Sequence, residues 1–228
     1  MNSVKGKINK LILGFASIGM FFFLIFPASL SASHFRYGTM SWDNPWDNGT
    51  ILLKMQNGWR TAYNNVLNSI GTITTGWVAI NWGDGSAAES VQIKNIAVDS
   101  SEGSTLTEIG SNSTGTWETG VYHTYTDNGT YVITWSSSAR IASIENIDNS
   151  AKWRAETKVN IGGSYAGNDS PVSAVPPIVQ VQDNTTFNYQ VVATDANNDT
   201  LGYRWGTYKE FVDNTSSNTY SYSKPTGM

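Results

Sequence analysis

Apolar and polar residues alternate with a period of two along most of the chain. In residues 50–56, Ile51, Leu53 and Met55 fall on one face and Lys54 and Gln56 on the other. Val91 and Ile93 alternate with Gln92 and Lys94, and Tyr131, Ile133 and Trp135 with Val132 and Thr134. Alternation of this kind, rich in β-branched and aromatic residues, predicts strands with one buried face. Residues 77–82, Trp-Val-Ala-Ile-Asn-Trp, are apolar on both faces and predict a strand central to a sandwich. Between the runs come Asn48-Gly49, Asn57-Gly58, Asp84-Gly85 and Asn128-Gly129, pairs that tolerate the positive φ of tight hairpins. Residues 61–70 are the one helix candidate, and Asn64, Asn65 and Asn68 argue against a long one. The expected fold class is all-β, built from sandwiches.

The alternation is absent from residues 1–33. Lys5, Lys7 and Lys10 precede an unbroken apolar run over residues 11–26, followed by Pro27 and the small residues Ala28, Ser29, Ser31, Ala32 and Ser33. That order predicts a secretory signal peptide, cut after Ser33 so that His34 starts the mature chain. The run of 16 residues is shorter than the ~20 needed to span a bilayer, so no stable membrane insertion is expected after cleavage. The destination is secreted, extracellular or cell-surface.

A second break lies at Gly162-Gly163-Ser164 and continues through Asn168-Asp169-Ser170-Pro171 to Pro176-Pro177. Strand patterns then resume at 178–182, 186–193 and 201–205. The mature chain accordingly divides into 34–168 and 169–228. A sandwich takes about seven strands and ~100 residues, so the second piece is expected to be incomplete unless a partner supplies strands.

Composition narrows the chemistry. The 228 residues hold 14 Lys+Arg, 18 Asp+Glu, two His and no Cys, for a net charge of −4. Loss of the three signal lysines leaves 11 basic against 18 acidic residues, a net charge of −7. A nucleic-acid partner needs a basic stripe and is excluded. Disulfides, thiolate metal sites and thiol nucleophiles are excluded with Cys. There is no G-x-S-x-G, no H-E-x-x-H and no phosphate-cradling glycine loop.

Two resemblances stand on quoted motifs. Ile80-Asn81-Trp82-Gly83-Asp84-Gly85-Ser86 resembles the W-G-D-G-S signature of polycystic-kidney-disease (PKD) domains, and Val121-Tyr122-His123-Thr124-Tyr125, with Gly129-Thr130-Tyr131-Val132, resembles their H-x-Y…G-x-Y-x-V strand pair. The stretch between Ser86 and Val121 is longer than in that family and predicts an inserted hairpin or long loop. Ser33-His34-Phe35-Arg36-Tyr37-Gly38-Thr39 resembles the S-H-F-R-x-G-T opening of a group of extracellular surface proteins. Asn168-Asp169-Ser170-Pro171-Val172 and Asp195-Ala196-Asn197-Asn198-Asp199 with Arg204-Trp205 are similar to later segments of that group, and the last recurs in cadherin-like and Ig-like repeats. The resemblances imply a PKD-like sandwich followed by a partial cadherin-like or Ig-like one, in non-catalytic, multi-module proteins.

Three sets of residues are candidate sites. Trp82, Asp84, Gly85, His123 and Tyr125 form the structural motif: the Asp84 carboxylate can accept backbone N–H groups across a type I′ turn, and His123 reads as a packed strand residue. Asp195, Asn197 and Asp199, at i, i+2 and i+4, offer hard oxygen ligands to calcium, the one candidate cofactor, and better suit a turn in which Asx side chains satisfy the backbone. Trp42, Trp46 and Asp47 are the glycan candidates, since exposed aromatic faces stack on sugar rings and carboxylates bond hydroxyls; the competing reading buries Trp42 at the end of a strand. The expected function is a non-catalytic secreted or surface module for adhesion, structural support or binding of an extracellular protein or glycan. Its alternatives are the non-catalytic front of a polysaccharide-active enzyme and a surface-layer or fibre subunit.

Overall fold

A computed structural model of the chain describes residues 34–61, 69–100, 103–138, 140–141, 152–175, 178–182 and 185–213. Residues 1–33, where a signal peptide is expected, and most of the 61–70 helix candidate lie outside them. Among the described residues twelve strands run in order: β1 (Phe35–Asp43), β2 (Thr50–Arg60), β3 (Ile73–Ile80), β4 (Glu89–Asp99), β5 (Ser104–Ser111), β6 (Glu118–Thr119), β7 (Val121–Thr124), β8 (Gly129–Ser137), β9 (Lys152–Ile161), β10 (Val172–Ser173), β11 (Ala193–Thr194) and β12 (Val212–Asp213). The larger antiparallel sheet has the order β1-β2-β5-β4-β3, with β7 on the first half of β2 and β6 on β5. A second sheet, β12-β9-β8, supplies the other layer, and β10 pairs β11 apart from both. Helix is confined to a 3-10 turn, Gly163–Tyr165, and one α-helical turn, Tyr208–Phe211, among the described residues. The chain is an all-β sandwich.

The alternating positions become its interior. Ile51, Leu53, Met55, Val91 and Ile93 from the larger sheet and Ile133, Trp135, Val159 and Ile161 from the smaller are all buried. With no disulfide available, a ring cluster carries the centre: Phe35 stacks on Trp153 at 3.7 Å, and Trp135 meets both edge-on, at 5.5 and 4.1 Å. Each such ring buries ~150–250 Å².

Several local expectations change. The strand at 77–82 is not central: β3 is an edge of the larger sheet, and Asn81 crosses to the other layer, exchanging both backbone hydrogen bonds with Thr134 at 2.9 Å. Its second apolar face has a local cause. The pairing slips between Thr75 and Val78, around Gly76 at φ +89°, and Trp77 packs edge-on against Trp59. Asn57-Gly58 is no turn but lies inside β2, where Asn57 is fully buried. The long stretch after Ser86 holds the β4–β5 hairpin and β6.

The strands expected at 178–182, 186–193 and 201–205 do not form ladders; only Ala193–Thr194 pairs, with Val172–Ser173. Val181, Phe187, Tyr189, Val191, Tyr203 and Trp205 stay exposed. Alternation makes a strand only where a neighbouring strand takes its hydrogen bonds and a second layer covers its apolar face. Further along, the chain returns to the sandwich, where Val212 pairs with Trp153 and is buried.

Candidate functional site

Residues 42–47 leave β1 under tight constraint. The Trp42 N–H donates to Ser170 Oγ at 2.7 Å, its carbonyl accepts from the Ser170 N–H at 2.8 Å, and its indole N–H reaches the Lys158 carbonyl at 3.0 Å. The Asn44 N–H donates to Asp169 Oδ1, while Asn44 Oδ1 accepts from the Asp47 N–H. Asp47, at φ +50°, receives the Gly167 N–H on Oδ1. The structure therefore removes Trp42 from the glycan candidates: it is 3% exposed, with no face to offer. Trp46 is 56% exposed and stacks on Tyr122, centroids 5.1 Å apart and planes 24° from parallel.

Tyr122 escaped the sequence reading. It stands on the outer face of β7, opposite Leu52 in β2, between the inward-facing Val121 and His123. The signal was period two through Val121-Tyr122-His123, which assigns Tyr122 outward once His123 is placed inward. Tyr122 also lines an open groove of about 660 Å³ between the ends of β4 and β5 and the β6–β7 segment. Gln92 fixes one side of it, accepting the Asn112 N–H on Oε1 at 2.7 Å.

Behind Tyr122, the two halves of the structural motif meet. The His123 ring lies on Trp82 with Nε2 2.8 Å from Asp84 Oδ2, and Tyr125 packs edge-on against His123. Asp84 Oδ1 accepts both the Ser86 hydroxyl, at 2.6 Å, and the Ser86 N–H, at 2.9 Å. The Ser86 hydroxyl contributes most to holding the Asp84 carboxyl down at about 2, with the Ser86 N–H and His123 adding to it against partial burial. Burial pushes the Tyr125 phenol well above its usual range, and the Asp84 charge adds to this; its hydroxyl donates to the Trp82 carbonyl at 3.0 Å. The turn is not type I′, because positive φ falls on Gly83 and Gly85 and not on Asp84. Asp84 is the common acceptor for Ser86 and His123, so the Ser86 hydroxyl is directed at Asp84 and not at the imidazole as a nucleophile would be. The cluster fixes β7 from inside.

Asp195, Asn197 and Asp199 form a closed turn. Asp195 Oδ1 accepts the N–H groups of Asn197 and Asp199 at 2.9 and 3.0 Å, and Asn198 has φ +62°. Asn197 Oδ1 accepts the Asp169 N–H and its amide nitrogen donates to the Gly167 carbonyl. Asp47 and Asn197, from opposite ends of the sequence, thus meet at the 167–169 linker. No three His, Cys, Asp or Glu side chains converge on a metal position among the described residues.

Three proteins of Dictyostelium discoideum are similar to this chain. Integrin beta-like protein C is 30% identical over 233 residues, covering 96% of this chain and 11% of that protein. Integrin beta-like protein B is 26% identical over 223 residues, 92% of this chain and 10% of the relative. Integrin beta-like protein A is 25% identical over 211 residues, 86% of this chain and 10% of the relative. The chain thus spans about a tenth of the length of these relatives. No solved structure matches it. A family profile described as "Integrin beta-like protein A-E, N-terminal" matches residues 36–162, from β1 to just past β9, and the chain belongs to that family.

Proposed function

We propose that the chain is a non-catalytic extracellular module of a cell-surface adhesion protein, binding through the face that carries Trp46 and Tyr122. The single observation behind this is the exposed Trp46–Tyr122 stack on a strand that His123, Asp84 and Trp82 anchor from behind. Large aromatic rings held rigidly in water are what binding faces use as anchors. Family membership supports adhesion as the setting. A PKD-like sandwich is the finer reading of the fold, supported by the contact between the W-G-D-G-S turn and His123. Residues 169–228 are read as the opening of a second, cadherin-like or Ig-like repeat, with Val212–Asp213 docked back on β9 of the first sandwich.

Beads coated with the full chain and offered to cells test this. The Trp46→Ala/Tyr122→Ala double variant, checked for native circular dichroism, is expected to lose most of the attachment. Equal attachment by the two coatings overturns the reading.

A second reading, a subunit that pairs strands with its neighbour, is favoured by the exposed alternating Phe187, Tyr189 and Val191. It requires self-association in size-exclusion chromatography with light scattering, and a monomer at high concentration ends it.

A further inference from the structure

The groove beside Tyr122 mixes polar side chains with Val91, Val121 and the Tyr122 ring along its walls. Gln92, Asn112, Glu118 and Thr119 line it, together with small hydroxyl residues, and neither Lys nor Arg is among its lining residues. Tyr122 belongs both to this lining and to the stack with Trp46, so the aromatic surface and the polar groups are continuous. Its volume of about 660 Å³ falls within the ~300–1,000 Å³ usual for ligand sites. Glu89, at one wall, is already fixed by the Trp82 indole N–H at 3.0 Å.

Resting on the adhesive reading above, we propose that this groove binds a neutral oligosaccharide, with one sugar ring against the Tyr122–Trp46 pair and its neighbours running past Asn112 and Glu118. Three features point to that class. The C–H face of a pyranose is apolar and weakly positive and suits the negative π-face of an aromatic ring. Sugar hydroxyls both donate and accept: a carboxylate such as Glu118 takes two donated bonds, and an amide such as Asn112 gives and takes one each. Two carboxylates with no cation in the lining disfavour sulfated, sialylated or uronic-acid chains.

The test uses the full chain produced in bacteria, so that its own Asn112-Ser113-Thr114 site is unmodified. It is probed on an array of neutral gluco-, galacto-, manno- and N-acetylglucosamine oligosaccharides beside sialylated and sulfated ones. The strongest neutral oligomer is then titrated calorimetrically. Expected are binding to neutral glycans, at least tenfold weaker with Tyr122→Ala and about fivefold weaker with Glu118→Gln, in variants whose thermal melting is unchanged. Preference for sulfated or sialylated glycans overturns the proposal, as does binding that neither variant weakens. If no neutral glycan binds while bead attachment still depends on Trp46 and Tyr122, the glycan proposal falls and the adhesive reading stands. If attachment is also indifferent to them, both fall.

Discussion

The imidazole of His123 and the indole of Trp82 lie nearly parallel, 7° apart in plane and 4.2 Å between centroids. That stack holds Nε2 of His123 against Asp84 and ties the turn after β3 to β7. Asp84 is the titrating partner with a displaced carboxyl, at about 2 against an ordinary ~3.9. A depressed carboxyl stabilises the fold above its unfolded value, and that stabilisation is lost as pH falls from about 4 towards 2. Asp84→Asn is expected to cost about 1 kcal/mol at neutral pH, a loss of roughly 2–4 °C in Tm. Thermal melts from pH 6 to pH 2 should show wild type and variant converging below pH 4. A gap that stays constant contradicts the assignment.

Gly83 and Gly85 share a left-handed conformation, at φ +79° and +88°, and differ in their surroundings. A Cβ on Gly83 would sit 2.5 Å from the Val132 carbonyl oxygen, whereas one on Gly85 would meet nothing within 4 Å. Gly85→Ala bears only the left-handed strain, roughly 1 kcal/mol. Gly83→Ala adds overpacking against β8 and is expected to cost about 2–4 kcal/mol. Urea unfolding of the two variants side by side gives the order.

Ser170→Ala leaves the buried N–H of Trp42 without its acceptor. An orphaned buried donor costs about 1–3 kcal/mol. The expected signature is local as well as global: hydrogen exchange at Trp42 and Asn44 should accelerate more than at Ile133 in the core.

The Tyr125 phenol is displaced upward, so the folded state holds its proton more tightly than the unfolded state does. Its contribution is complete below about pH 10 and declines as pH rises beyond that. An alkaline absorbance titration should show a late step from the Tyr125 phenol, above the range of the exposed tyrosines. Tyr125→Phe should remove that step and make unfolding less dependent on pH above 10.

The interior could be read from the sequence because period two reports which face is buried: Ile51, Leu53 and Met55, or Ile133 and Trp135, appear as expected. Pairing order could not, since it depends on contacts far apart in sequence. The bridge between Asn81 and Thr134 and the return of Val212 to β9 have no local signature. The site divided in the same way. The W-G-D-G-S and H-x-Y motifs each stood out, yet only the fold shows that Asp84 and His123 touch. Trp46 was found as an aromatic in a polar loop, whereas Tyr122 required the register of β7 against β2. Residues 178–182 and 201–205 have the pattern of strands and form no ladder with a neighbouring strand.

The clasp between Trp42 and Ser170 is also a mechanical element. Tension applied within residues 171–211 would meet the paired bonds of Ser170 with Trp42, and that of Asp169 with Asn44, at one end and the pairing of Val212 with Trp153 at the other. Those same bonds shape the loop that presents Trp46. Load that reaches this clasp therefore acts on the 42–47 loop as well as on the strand it leaves.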